Sequence, residues 1–195
     1  MSSSALYFKI EREWPEGYAS VGFHKKPSAN VSHLDIYKAT CGPDYLRHFE
    51  ITEFSDGEIP DFLPNNFGWP VVSSRCCERF LGIDADVKAT SHSIRSLVNQ
   101  RCPAELKDYF LLSASVALDC LDLTNESLRW HGEGKRLVAS YEYLRLVASQ
   151  IPPRVSFFGI KRMPCLHVVS DELRNSLCQM NLTGVSFRPC EVVAQ

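Results

Sequence analysis

Apolar residues in this chain fall into short blocks separated by proline, glycine and clusters of charge, and the blocks can be read as elements. Residues 5–10 (Ala-Leu-Tyr-Phe-Lys-Ile) suit a strand, ended by a turn at Trp14-Pro15-Glu16-Gly17. Residues 34–39 read as a second strand. The stretch from Glu50 to Asp61 is broken by Gly57 and Pro60, and Pro64, Gly68 and Pro70 follow, so 55–70 is expected to be an irregular loop. Val71-Val72 then leads into a helix that starts at Ser73 or Ser74 and runs to about Leu81. Serine at its start would accept a hydrogen bond from an orphaned N–H, and Gly82 at its end would take the left-handed conformation. The same grammar recurs at Val168-Val169-Ser170, with a helix over 171–180 and a stop at Asn181 to Gly184. Aligning the two Val-Val-Ser triplets suggests a structural echo: strand end, serine cap, short helix, return strand.

Between these units Tyr109–Val116 reads as a strand. Residues 136–147 are ambiguous, because Leu137, Tyr141, Leu144 and Val147 would also line one face of a helix. Their aromatic and β-branched content, and the Pro152-Pro153 step before 155–160, favour strand. The expected class is α+β: a single domain over 1–195, with short capped helices on a largely antiparallel sheet.

Composition narrows the picture. The chain has 195 residues, enough for one well-buried core, and its 45% hydrophobic and 23% charged content is ordinary for a globular domain. No apolar run is long enough to span a membrane, and the N-terminus is a poor signal peptide, so the expected compartment is the cytoplasm. A net charge of −2 argues against general nucleic-acid binding. The charge is uneven: residues 1–70 hold 6 Lys/Arg against 10 Asp/Glu. The eight cysteines are scattered, without a CxxC, and are expected to be reduced and mostly buried.

Several clusters are candidates for chemistry. Asp119, Asp122 and Glu126 offer oxygen ligands for a hard cation, against the plainer reading of a polar turn in which Asp122 or Asn125 bonds nearby N–H groups. Cys165 and His167 would share a strand face and could join Cys178 or Cys190 around zinc, but nothing fixes the remaining ligands. His131-Gly-Glu-Gly-Lys135 lacks the spacing of a phosphate loop and reads as a hairpin turn. No metal or cofactor is therefore expected. Glu50, Glu53, Asp56, Glu58 and Asp61 form an acidic run without a cation, either a solvated loop or an anionic docking surface. Phe54, Ile59, Phe62, Phe67 and Trp69 interleave with it, either anchoring a partner or pinning the loop to the core.

The order of these pieces resembles the bacterial immunity proteins encoded beside polymorphic toxins, the group known as immunity family eleven. The resemblance rests on Tyr7-Phe8-Lys9-Ile10, on Trp69-Pro70-Val71-Val72-Ser73, and on Tyr109–Leu112 with Leu121-Asp122-Leu123 and Ser127. It is strongest at the close, in Phe158–Lys161 and in Val169-Ser170-Asp171 through Leu182-Thr183-Gly184-Val185 to Pro189. It implies a non-enzymatic protein that binds a cognate toxin and blocks it without turnover. Were the toxin a nuclease with a basic face, the five carboxylates between Glu50 and Asp61 would meet that face. The alternatives are a small enzyme with a Cys–His or carboxylate site, and a scaffold or regulatory binding module.

Overall fold

The computed structural model describes residues 7–13, 16–25, 49–55, 57–82, 89–93, 104–114, 116–132, 134 and 137–194. In chain order the strands of the first half are β1 (Tyr7–Arg12), β2 (Val21–Lys25), β3 (Phe49–Phe54), β4 (Phe62–Leu63) and β5 (Val71–Ser73), followed by helix α1 (Ser74–Leu81) and β6 (Ala89–Ser93). Next come β7 (Tyr109–Ala114), β8 (Ala117–Leu118), β9 (Arg129–His131), β10 (Leu137–Ser140) and β11 (Arg145–Val147). The chain closes with β12 (Phe157–Ile160), β13 (Met163–Ser170), helix α2 (Asp171–Cys178), β14 (Val185–Pro189) and β15 (Glu191–Val193). The fold is α+β, and among the described residues the strand pairs are antiparallel except β8–β12 and β11–β15, with isolated parallel bridges at Tyr18↔Glu58 and Val21↔Asn65. The strand expected at 34–39 lies outside the described residues, as do Trp14 and Pro15 of the expected first turn.

Two sheets form the centre, one ordered β4-β5-β7-β6 and the other β12-β13-β1-β14 with β8 at the outer edge of β12. Their registers correspond. Phe62, Val72, Phe110 and Ser93 make one row across the first sheet, and Phe157, Val169, Phe8 and Pro189 make the matching row across the second. The next row pairs the serine before each helix with a tyrosine, Ser73 with Tyr109 and Ser170 with Tyr7. Even the hydrogen bonds behind the caps match: Ser73 N–H donates to Asp61 O at 2.8 Å and Ser170 N–H to Ser156 O at 2.9 Å. The echo of the two Val-Val-Ser triplets thus extends over four strands and a helix in each unit.

The two units exchange a strand. β1 precedes the first unit in sequence but inserts between β13 and β14 of the second. β7 precedes the second unit but sits between β5 and β6 of the first. Each half therefore completes the other's sheet.

Both faces of these central strands are covered, which is why their sequences read as apolar doublets instead of alternating. Phe62, Val72, Leu112, Phe157 and Val169 point into a shared middle core, joined by Phe80 of α1 and by Leu173 and Leu177 of α2. The Phe80 ring meets Phe62 and Phe157 edge-on, at 6.3 and 5.0 Å. The alternate residues Leu63, Val71 and Leu111 face a second core under β2 and β3. Tyr7, Phe158 and Val168 face a third, closed by Leu121, Leu144 and Leu146.

Local chemistry departs from expectation at four places. The 55–70 stretch is largely irregular but not a solvated loop: Pro60 to Asn65 are all buried, and Phe62–Leu63 is the edge strand β4. Ser73 occupies the N-cap of α1 with an extended backbone, yet its hydroxyl donates to Asp61 Oδ1 at 2.7 Å instead of capping an N–H. Ser170 does cap α2, accepting from Leu173 N–H. Gly82 ends α1 with φ −82°, in right-handed space, its N–H still donating to Glu78 O. Residues 136–147 are not one strand, since a turn at 141–144 separates β10 from β11. β9 and β10 flank the glycines at 132 and 134, both at positive φ, as the hairpin reading of that motif required.

Candidate binding surface

Asp61 stands between the two units. It is 6% exposed, and its carboxylate takes hydrogen bonds from the Ser73 hydroxyl, the Arg75 guanidinium, and the N–H and hydroxyl of Thr183. Burial alone would raise its pKa; the hydrogen bonds from Arg75, Ser73 and Thr183 outweigh it and bring the group down to about 2. Its own N–H donates to the Thr183 hydroxyl at 3.0 Å, and Phe62 N–H donates to Thr183 O at 3.0 Å. Gly184 follows at φ +79°, close enough to Phe62 O and Pro60 that a side chain would collide. Asp61 therefore ties the loop before α1 to the turn after α2, and it is not surface charge.

Glu50 and Glu53 belong to β3, and their side chains are outside the described residues, as is the whole of Asp56. Glu58 is exposed, its backbone paired with the 17–19 segment. The interleaved aromatics pin the segment inward: Phe62 and Trp69 are buried, and Phe54, Ile59 and Phe67 pack on the core. Phe67 and Trp69 rings lie 4.8 Å apart, with Phe23 5.1 Å from Trp69.

The remaining clusters are spoken for by the fold. Asp122 accepts from the N–H and hydroxyl of Thr124 and faces Arg145 at 3.5 Å, while Asn125 Oδ1 accepts from Ser127 N–H, as a polar turn requires. Asp119 pairs with Arg162. Burial raises the thiols of Cys120 to about 11 and Cys190 to about 12, and Cys76 further still, so all three stay protonated at neutral pH. His167 stacks on Phe157 at 5.4 Å; burial and the nearby Arg12 charge lower its pKa to about 4, leaving the ring neutral.

A concavity opens where β1 and β13 part. Their pairing runs from Tyr7↔Ser170 to Lys9↔Val168 and stops. Continued, it would set Ile10 opposite His167 and Arg12 opposite Cys165. Instead a cleft of about 780 Å³ lies between Ile10, Arg12 and Glu13 on one wall and Met163, Cys165 and Leu166 on the other. At its inner end the Lys9 ammonium bonds Tyr141 Oη at 3.0 Å and Glu11 at 2.5 Å. Burial disfavours that ammonium, but Glu11 and Tyr141 more than offset it and its pKa lies above the ordinary lysine value. Of its lining, sequence reasoning singled out Cys165, as a zinc ligand beside His167, and passed over Lys9 and Arg12. The splaying of the two strands brings Lys9, Arg12 and Cys165 to one cleft, while His167 stays buried.

The model of an immunity protein family, Imm11, matches residues 30–192. The chain belongs to the Imm11 family. No curated protein matches it. The Imm11 match takes in both strand–serine–helix units and begins after β1 and β2. Family membership makes this an immunity protein, with binding of a cognate toxin as the implied role. No helix among the described residues is long and apolar enough to cross a membrane.

Proposed function

We propose that this Imm11 protein is a bacterial, cytoplasmic inhibitor that binds the toxin domain of a polymorphic toxin one-to-one and occludes it without turnover. The observation that carries the reading is the family match over 30–192. The chemistry of the chain supports it. Its buried thiols are held protonated, its buried aspartates are saturated with hydrogen bonds, and its unusual residues serve to lock two sheets together. Such a body presents a stiff surface, which lowers the ordering cost of association.

If the toxin is a nuclease, the acidic face would be supplied by Glu50, Glu53, Asp56 and Glu58, standing in for phosphate and raising the association rate. Asp61 has no part in that face. Stopped-flow association with the toxin encoded by the adjacent reading frame tests this. Changing the four acids to Asn or Gln is expected to slow association by about tenfold at low salt and to flatten its salt dependence. An unchanged rate and salt slope would remove the acidic face from the account.

A further inference from the structure

Strand alternation sends the side chains of Ile10 and Arg12 to one face of β1 and those of Lys9, Glu11 and Glu13 to the other. On the second face the charges satisfy one another: Lys9 bonds Glu11 and Tyr141, and Glu11 also holds Arg188. Glu13 is exposed to solvent. On the first face Arg12 stands past Ile10, which packs at the margin of the middle core. Its guanidinium lies against Gly68, where a Cβ would come within 2.8 Å of Nη2, so glycine there leaves the group its room. Its charge is felt by Cys165 and by the buried His167. Among the described residues it has neither an ion pair nor a hydrogen bond.

A half-buried guanidinium in that position has lost hydration without gaining an acceptor. Burial pulls its pKa down, and the group acting the other way is the Cys165 thiol, which burial itself keeps protonated at neutral pH. The shape of the guanidinium sets what it lacks, because a planar fork of donors matches a carboxylate through two parallel bonds. A phosphate dianion would call for a second free cation, and Lys9 is on the other face and already engaged. Asn65, also in the lining, offers no rival donor, since its amide hydrogens are held by Leu63 O and Trp69 O. The remaining walls are largely apolar, from Ile10, Pro64, Val138, Met163 and Leu166. A volume of about 780 Å³ lies within the range of small-molecule sites.

We propose that the cleft between β1 and β13 binds a small apolar monocarboxylate, its carboxylate paired with the Arg12 guanidinium and its hydrocarbon body against the apolar walls. The occupant is a free acid; an Asp side chain of a partner would bring the carboxylate with little hydrocarbon. The site is separate from toxin binding and is tested without a toxin.

Titration of the full chain with hexanoate, hexanamide, acetate and inorganic phosphate, followed by amide and arginine Nε–H NMR, provides the test. Hexanoate is expected to saturate and to shift the Arg12 Nε–H and the Cys165 and Leu166 amides. It should bind at least about tenfold tighter than each of the other three probes. Arg12→Gln should remove the preference for hexanoate over hexanamide, while Arg12→Lys keeps part of it. Cys165→Phe, which fills the cleft, should weaken both, and Leu123→Ser, exposed and outside the cleft lining, should change neither. Equal binding of hexanoate and hexanamide, or a preference that survives Arg12→Gln, would overturn the proposal. Acetate matching hexanoate would give the site to a side-chain carboxylate, and phosphate matching it would make a general anion site; either result overturns the apolar acid. So would the absence of saturable binding by any probe. Should Arg12→Gln fail to fold, the wild-type spectrum decides, since an Arg12 Nε–H unmoved by saturating hexanoate also overturns it.

Discussion

Ser73, Arg75 and Thr183 converge on the Asp61 carboxylate, while His167 sits neutral and buried against Phe157; both residues contribute to the acid response of the fold. His167 has a folded pKa of about 4 against an ordinary 6.5. Below 6.5 the unfolded chain takes up its proton first, so stability is lost as pH falls from 6.5 to about 4, by up to about 3 kcal/mol. Asp61 has a folded pKa of about 2 against 3.8, so its contribution is complete above 3.8 and fades as pH falls toward 2. Urea midpoints measured across this range should show both descents. His167→Gln should flatten the upper one and Asp61→Asn the lower. A His167→Gln profile parallel to wild type would show that the ring titrates freely. Neither property was legible in the sequence, where Asp61 looked like one more member of an acidic run. Its burial depends on Thr183, more than a hundred residues downstream, and no local pattern signals that.

At the scale of elements, the boundaries of both helices were legible because they follow from local chemistry: an extended Val-Val-Ser run, then an eight-residue helix. The roles of the two serines were not. Their backbones are nearly superimposable, φ −65° and ψ 159° at Ser73 against φ −69° and ψ 162° at Ser170. Only Ser170 uses its hydroxyl as a cap, because at Ser73 the Asp61 carboxylate competes for it. Ser170→Ala should therefore cost about 1 kcal/mol, additive with Asp61→Asn. Ser73→Ala should be strongly non-additive with Asp61→Asn, since the two side chains form one interaction. Denaturant melts of the single and double variants measure this, and additivity at Ser73 would contradict the hydrogen-bond assignment. The segment at 136–147 was misread for a related reason. Its apolar residues fit either period, and the turn at 141–144 is fixed by contacts such as Tyr143 O with Asn125 and Ser127, not by a breaker residue.

For the molecule as a whole, the reciprocal exchange of β1 and β7 makes one body from two similar units. The sequence carried a signal for it beyond the Val-Val-Ser echo: Tyr7-Phe8 and Tyr109-Phe110 begin the two exchanged strands, opposite Ser170 and Ser73. The signal was easy to pass over because each pair precedes the unit it resembles and completes the other one. The cleft left no mark in the sequence, since the parting of β1 and β13 beyond Lys9↔Val168 follows no local pattern. All of this describes a rigid surface, and the account stands or falls on how that surface is used. The most direct test is calorimetric titration of this Imm11 protein into the toxin of the adjacent reading frame, with residual toxin activity followed in parallel. Heat and activity should both reach their end point at one equivalent, and the toxin should regain activity when the complex is dissociated. Loss of toxin activity at a small fraction of an equivalent, with no heat of complex formation, would mean catalytic detoxification and would contradict the account.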